Sequence, residues 1–94
     1  MIPMGSWGNK DPEEKRLFGI DWSAELVAGD SLGTITWSIA QGTVTKSDED
    51  NDNTTASLLI AGGADGEVAL INCHVVTTLN HILEGTMRLD IRSR

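Results

Sequence analysis

The chain has 94 residues, a length that forms one domain around a single modest core. Fourteen acidic residues against seven basic ones give a net charge of −7, which argues against binding nucleic acid or an anionic membrane surface. No apolar run reaches the roughly 20 residues that span a bilayer, and the N-terminus lacks the pattern of a signal peptide. A single cysteine excludes an intramolecular disulfide and favours synthesis in a reducing cytoplasm.

The first 15 residues differ in composition from the rest of the chain. They contain both prolines and a polar cluster, and they show no regular alternation. We therefore predict a flexible N-terminal arm over residues 1–15 and a folded domain over residues 16–94. Trp7 lies in this arm without a local core, so its ring is either disordered or an anchor into a partner. Asp11 can cap one helical turn that begins at Pro12.

The remainder is dominated by a two-residue alternation of polar and apolar side chains. Residues 34–39 and 87–91 show it most clearly, and this period is typical of half-buried β-strands. Strands are predicted over residues 17–22, 32–40, 43–46, 54–61, 67–78 and 82–92, with a charged loop over residues 47–53. Such short strands between glycine-rich turns predict an all-β fold, an antiparallel β-sandwich of about seven strands.

Several residues of this pattern occupy the alternate positions that are expected to face the core. Trp22 and Trp37 are expected to pack inside, with one ring crossing between the sheets, whereas carbohydrate stacking would need exposed rings. Cys73 has the same inward parity, which predicts a buried, inert thiol. The glycine-rich turn over residues 62–66 predicts a tight connection between the sheets at positive φ.

The last two strands are predicted to form a hairpin around Asn80, a residue type that tolerates positive φ. Matching the inward parity of both strands pairs Cys73 with Met87 and Ile71 with Leu89. A shift by one residue would turn the core set towards solvent, so we expect this register to be strongly fixed.

The sequence contains no constellation that predicts catalysis. Residues 48–53 resemble the start of a calcium loop but lack its glycine at position six and glutamate at position twelve, so we predict a solvated acidic turn, with weak cation binding as the alternative. His74 and His81 are the only histidines, and nothing places them together in a cleft. We predict no enzyme activity, catalytic residue, metal site or cofactor.

Apolar residues that break the alternation are candidates for an interface. Leu59, Leu70 and Val76 point away from the predicted core, and if grouped they would form an interaction patch. Together with Trp7 they are the predicted interaction residues.

Short motifs along the chain agree in order and spacing with a known family. They are Lys10-Asp11-Pro12, Ile20-Asp21-Trp22-Ser23 with Leu26, Gly29-Asp30-Ser31-Leu32, Trp37, Thr55-Ala56, Gly62-Gly63 with Gly66, and Cys73, Val75 and Thr77. Over residues 10–92 the chain resembles the small immunoglobulin-like proteins of tailed bacteriophages and prophages that are described as fiber–tail adaptor proteins.

This resemblance implies a function without catalysis. It implies a virion structural protein of the tail or neck, made in the host bacterial cytoplasm, that acts as an adaptor through protein–protein contacts. The expected partners are other phage virion proteins, with further copies of the chain as an open alternative, and neither nucleic acid nor a membrane is expected. The alternative is an immunoglobulin-like module that binds carbohydrate or a cell surface.

Overall fold

The computed structural model describes residues 4–93, which form seven strands and one turn of 3-10 helix at Ser23–Glu25. The strands are β1 (Met4–Lys10), β2 (Lys15–Asp21), β3 (Leu32–Gln41), β4 (Val44–Asn51), β5 (Thr55–Gly62), β6 (Val68–Thr77) and β7 (Ile82–Ile91). This described part contains no helix that is long and apolar enough to cross a membrane.

The strands form two sheets that pack as a β-sandwich. The four-stranded sheet has the order β1-β7-β6-β3, and the three-stranded sheet has the order β2-β5-β4. Strands β2 to β7 are divided between the sheets like strands B to G of an immunoglobulin domain, with B, E and D in one sheet and C, F and G in the other. The predicted sandwich is therefore confirmed, with one difference: β1 pairs parallel to β7, whereas the other pairs are antiparallel.

The core lies between the sheets and follows the predicted alternation. Buried residues alternate with partly exposed ones along the whole of β6. Trp22 and Trp37 are both buried, as predicted. In the four-stranded sheet Trp37 lies beside Cys73, and Cys73 lies beside Gly85. Because these two neighbours are small, this row leaves room between the sheets for the Trp37 indole.

Five of the six predicted strands agree with the structure to within two residues at each end. The exception is β4, which runs from Val44 to Asn51 and so includes most of the predicted charged loop. A register shift between Ser47 and Asp50, with Asp48 at a φ of 50°, marks a β-bulge. The strand is at the edge of its sheet, so its charged side chains remain in water while the backbone pairs with β5.

The β6–β7 hairpin has the predicted parity but a different register. Asn80 adopts the expected positive φ, at 65°. The structure pairs Ile71 with Met87 and Cys73 with Gly85, two residues away from the predicted pairs. A shift by two keeps every side chain on its own face, so the alternation that excludes a one-residue slip cannot exclude this one.

The N-terminal segment differs most from its prediction. Residues 1–3 of the predicted arm lie outside the described residues, but residues 4–10 form β1 at the edge of the four-stranded sheet. The expectation that this segment contains no strand is therefore wrong for residues 4–10. The polar composition of this segment gave no sign of a strand. In particular, Lys10 is buried, although lysine is almost never fully buried unless its ammonium has partners.

The glycine-rich turn between β5 and β6 carries the chain from one sheet to the other, as predicted. Gly62, Gly63 and Gly66 all have positive φ, at 75°, 98° and 88°. A Cβ atom on Gly63 would lie only 3.0 Å from side-chain atoms of Ile91 and Val44. Glycine is required at this position both for its backbone conformation and for the close packing of the two sheets.

Candidate interaction surface

Both histidines lie at the surface and contact carboxylates. His74 Nδ1 is 2.9 Å from Glu84 Oε2, and the two residues are directly opposite each other on β6 and β7. His81 lies after the hairpin turn, with its Nδ1 3.7 Å from Asp30 Oδ2. Each histidine has its own carboxylate neighbour, so the two do not form a joint site.

The acidic segment that resembled a calcium loop is built as a strand followed by a turn. Asp52 Oδ1 accepts the backbone N–H groups of Thr54 and Thr55, at 2.9 and 2.7 Å. These bonds lower the pKa of the Asp52 carboxyl below its ordinary value. Residues 4–93 contain no group of three or more His, Cys, Asp or Glu side chains that could hold a metal ion.

The Cys73 thiol is held in an unreactive form. Burial raises its pKa to about 12, since the thiolate would lose its hydration. The indole N–H of nearby Trp22 favours the thiolate and so partly opposes this rise in pKa. The N–H group makes no full hydrogen bond to any described residue. The structure therefore agrees with the prediction of a buried thiol.

Trp7 packs against the core, and its side chain is partly buried. Its ring stacks on Phe18 of β2 with 4.9 Å between ring centroids, and it lies 6.1 Å from the ring of Trp37. The Trp7 Nε1–H donates to the Gly19 carbonyl oxygen at 3.0 Å. Because Trp7 belongs to one sheet and both Phe18 and Gly19 to the other, the indole closes the side of the sandwich at which β1 and β2 lie.

Lys10 ties the end of β1 to two other segments. Its ammonium donates to the carbonyl oxygens of Asp11, Glu14 and Gly62 at 2.8, 2.7 and 2.8 Å. Three acceptors match the three N–H donors of a lysine. Desolvation lowers the pKa of the Lys10 amine, opposed by the negative charges of Glu14, Asp11 and Glu13. The role of this residue in the fold is thus a structural one.

A buried carboxylate joins two loops at the end of the sandwich where the β6–β7 hairpin turns. Asp30 Oδ1 accepts the Ser31 N–H at 2.8 Å, the Thr78 hydroxyl at 2.9 Å and the Leu79 N–H at 3.1 Å. Desolvation alone would raise the pKa of Asp30, but hydrogen bonds from Thr77, Thr78, Ser31 and Leu79 outweigh it, and the pKa is lowered. Asp30 therefore fixes the hairpin turn against the loop that precedes β3.

Among the residues whose burial the structure describes, three of the four exposed large apolar side chains lie at this same end. Val27, Leu79 and Ile82 are 49%, 51% and 65% exposed, and Leu17 on β2, at 66%, is the fourth. Ile82 is directly opposite Val76, one of the predicted interaction residues. We call Val27, Val76, Leu79 and Ile82 the hairpin-end patch.

The other predicted interaction residues are distributed over different surfaces. Leu59 is partly exposed on the outer face of the three-stranded sheet, directly opposite Leu17. Leu70 and Val76 are partly exposed on the outer face of the four-stranded sheet, six residues apart on β6. The structure therefore does not bring the predicted set together. The sequence did not single out the exposed Val27 and Leu79, because they lie in loops, where alternation gives no signal.

A groove lies on the side of the sandwich at which β3 and β4 are the edge strands. It has a volume of about 210 Å³ and is lined by Ile35 and Trp37 from β3 and by Glu49, Asp50 and Asn51 from β4. On the β3 side Ile35 is partly exposed and Trp37 is buried, so the polar and acidic residues of β4 make up most of the accessible lining. Lys46 pairs with Glu49 within β4, which leaves the Asp50 carboxylate as the acidic group without an ion-pair partner among the described residues.

The comparisons with known proteins identify the family. The model of a family described as "Podophage GP4 fiber-tail adaptor protein gp77" matches residues 10–90. The chain belongs to this family. The matched range begins at the end of β1 and includes the other six strands, so it spans nearly the whole sandwich. A search of curated proteins found no match.

Membership supports the family suggested by the sequence motifs and indicates a role as a phage fiber–tail adaptor.

Proposed function

We propose that the protein is a non-enzymatic structural adaptor of the podophage tail or neck, which joins other virion proteins through protein–protein contacts. The observation that carries the proposal is the family match over residues 10–90. By the same argument the protein resides in the virion after synthesis in the host cytoplasm, and its partners are tail and fiber proteins.

The hairpin-end patch is the surface that we assign to a partner. Its members are exposed or partly exposed, and they lie on two loops and two strand ends that Asp30 connects. An interface that is already ordered before binding loses less conformational entropy when the partner arrives. Of the predicted interaction residues, Val76 belongs to this patch.

The alternative of a carbohydrate-binding module has less support. Stacking on a sugar needs an exposed aromatic face, but Trp22 and Trp37 are buried, and Trp7 and Phe18 stack on each other. These four residues are all the aromatic Trp, Phe and Tyr side chains of the chain.

Co-purification with the tail and fiber proteins of the same phage tests the proposal. The tagged chain should retain at least one of them, and Ile82→Asp should weaken this binding by about tenfold or more, since it places a charge at the most exposed member of the patch. Leu17→Asp is the matched control, because Leu17 is equally exposed but lies on the other sheet, and it should change binding less than about threefold. Retention of neither class of protein would contradict the adaptor function.

A further inference from the structure

The charges of this protein are distributed unevenly along the length of the sandwich. The hairpin half, as we call it, contains the loops over residues 22–31, 52–54 and 78–81 and the half of each strand that is nearer to them. Eight of the fourteen acidic residues lie in this half: Asp21, Glu25, Asp30, Asp52, Glu84 and residues 48–50. None of the lysines and arginines that the structure describes lies there.

The opposite half of the sandwich is nearly balanced in charge. It contains the other six acidic residues and all the described lysines and arginines, which are Lys10, Lys15, Arg16, Lys46, Arg88 and Arg92. Lys46 lies near the middle of β4 and pairs with Glu49, so Glu49 does not add to the acidic excess. With the histidines counted as neutral, the net negative charge of the described residues is therefore located in the hairpin half.

The three loops of the hairpin half form one continuous end surface. The Leu32 N–H, at the start of β3, donates to the Asn53 carbonyl oxygen at 2.9 Å, and the Thr78 N–H donates to the Ser31 carbonyl oxygen at 2.9 Å. These bonds, together with those that Asp30 accepts, connect the loop before β3 to both turns. The apolar side chains of the hairpin-end patch and the carboxylates of the neighbouring segments therefore belong to the same surface.

Each segment of this end surface contributes a carboxylate. Glu84 is exposed on β7, two residues from Ile82 and on the same face of the sheet. Glu25 precedes Val27 by two residues, and Asp52 is exposed in the turn between β4 and β5. An apolar centre with a polar rim is the usual anatomy of a protein interface, and here the rim is acidic.

The two halves are far enough apart for a partner to meet them separately. A ten-residue strand such as β6 is about 33 Å long. Salt screens the interaction of exposed charges beyond about 8 Å at physiological ionic strength. The basic residues of the opposite half therefore do not offset the acidic charge that a partner meets at the hairpin-end patch.

We propose, on the basis of the adaptor function above, that the hairpin-end patch binds a tail or fiber protein through a basic docking surface, in which lysines and arginines surround an apolar recess. The recess takes Val27, Leu79 and Ile82, and the basic side chains pair with carboxylates such as Glu84. Complementary charge speeds the encounter and sets its orientation, so the adaptor approaches this partner with the hairpin half first.

A second copy of the chain suits this surface less well. Two copies joined through their hairpin-end patches would bring acidic surfaces together, and the opposite half offers no excess of positive charge among its described residues. Nucleic acid and anionic membranes carry the same sign of charge as the hairpin half and are disfavoured for that reason. A protein with a basic surface is the occupant that the charges favour.

Association of the full-length chain with each purified tail and fiber protein of the same phage, immobilised in turn on a sensor, tests the proposal. For the protein that binds, the association rate constant should fall about tenfold or more between about 50 mM and about 500 mM salt, because salt screens the attraction between unlike charges. Glu84→Lys should lower this rate constant about fivefold or more at the lower salt concentration and less than about twofold at the higher one.

Two further variants separate charge from other effects. Glu13→Lys makes the same change in net charge at an exposed position in the turn between β1 and β2, in the opposite half, and should change the rate constant less than about twofold at both salt concentrations. Glu84→Gln loses the same contact with His74 but adds no positive charge, so its effect should lie between those of the wild type and Glu84→Lys. Thermal unfolding of each variant checks that the fold is intact.

Three results would overturn the basic docking surface: an association rate constant that does not depend on salt, equal effects of Glu84→Lys and Glu13→Lys, or faster association of Glu84→Lys, which would indicate an acidic partner. Each of these results includes binding of a tail or fiber protein and so leaves the adaptor function intact. Binding of none of these proteins would overturn both proposals.

Discussion

The two lateral sides of the sandwich close the same interior in different ways. At the side of β1 and β2, Trp7 stacks on Phe18 and Lys10 binds three carbonyl oxygens, so that side is sealed. At the side of β3 and β4, a groove remains between Ile35 and a charged edge strand. The difference shows that a charged side chain such as that of Lys10 can be buried at a side of the sandwich when all its hydrogen bonds are made. The charged side chains of β4 lack such a set of partners and remain in water.

The largest loss of stability is expected from substitution of Lys10. Lys10→Met retains the apolar stem but leaves the carbonyl oxygens of Asp11, Glu14 and Gly62 without their donor, which should lower the free energy of unfolding by about 2–4 kcal/mol. Urea denaturation measures this value. Lys15→Met is the matched control at an exposed position and should change it by less than about 0.5 kcal/mol. Equal losses in both variants would mean that the sealed side does not depend on Lys10.

A somewhat smaller effect is expected at Trp7. Trp7→Ala removes the stack on Phe18 and the bond to the Gly19 carbonyl, and because the ring is only partly buried we expect a loss of about 2–3 kcal/mol in the same assay. Trp7→Phe keeps an aromatic ring but not the donor, so it should lose about 1 kcal/mol. If Trp7→Ala is as stable as the wild type, β1 does not seal this side in solution.

The role of Asp30, at the end of the sandwich where the β6–β7 hairpin turns, can be tested by varying the pH. The folded protein lowers the pKa of Asp30 below its ordinary value of 3.8, so its charged form stabilises the fold above that value and the contribution is lost as the pH falls through the lowered pKa. Asp30→Asn should be less stable than the wild type at neutral pH, and the difference should shrink in acid. Urea denaturation at about pH 7 and about pH 3 measures it.

Asp48→Asn is the control for this comparison, since Asp48 lies on the open edge strand and has no side-chain hydrogen bond to a described residue. The difference between this variant and the wild type should be small at both pH values. A loss at Asp30→Asn that is the same at both pH values would show that packing, and not the charge, accounts for the role of Asp30.

The smallest effect is expected at the open side. Glu49→Gln breaks the pair with Lys46, but both side chains are largely hydrated, so the free energy of unfolding should fall by less than about 0.5 kcal/mol. Thermal unfolding at low and high salt checks this, because the difference should disappear when the pair is screened. A loss comparable to that of Lys10→Met would remove the distinction between the two sides.

Much of the sandwich followed from alternation alone. The burial of Trp37 and Cys73 and the extent of β6 were predicted from parity, because a strand turns successive side chains to opposite faces. The β6–β7 register was predicted only to within two residues, since a two-residue shift conserves parity. For the proposed interface, parity indicated Val76 but gave no signal for Leu79 or Val27, and it did not show that Leu59 and Leu70 lie on different sheets.

The sequence by itself determined the fold class, five of the seven strands and the family, because alternation and short motifs are local properties of the chain. Only the tertiary structure decided how its polar groups are used. Lys10 reaches an acceptor on Gly62, 52 residues away, and Asp30 reaches its donors on Thr78 and Leu79, 48 and 49 residues away. A charged residue can be buried only when such distant partners converge on it, and no local pattern records that convergence.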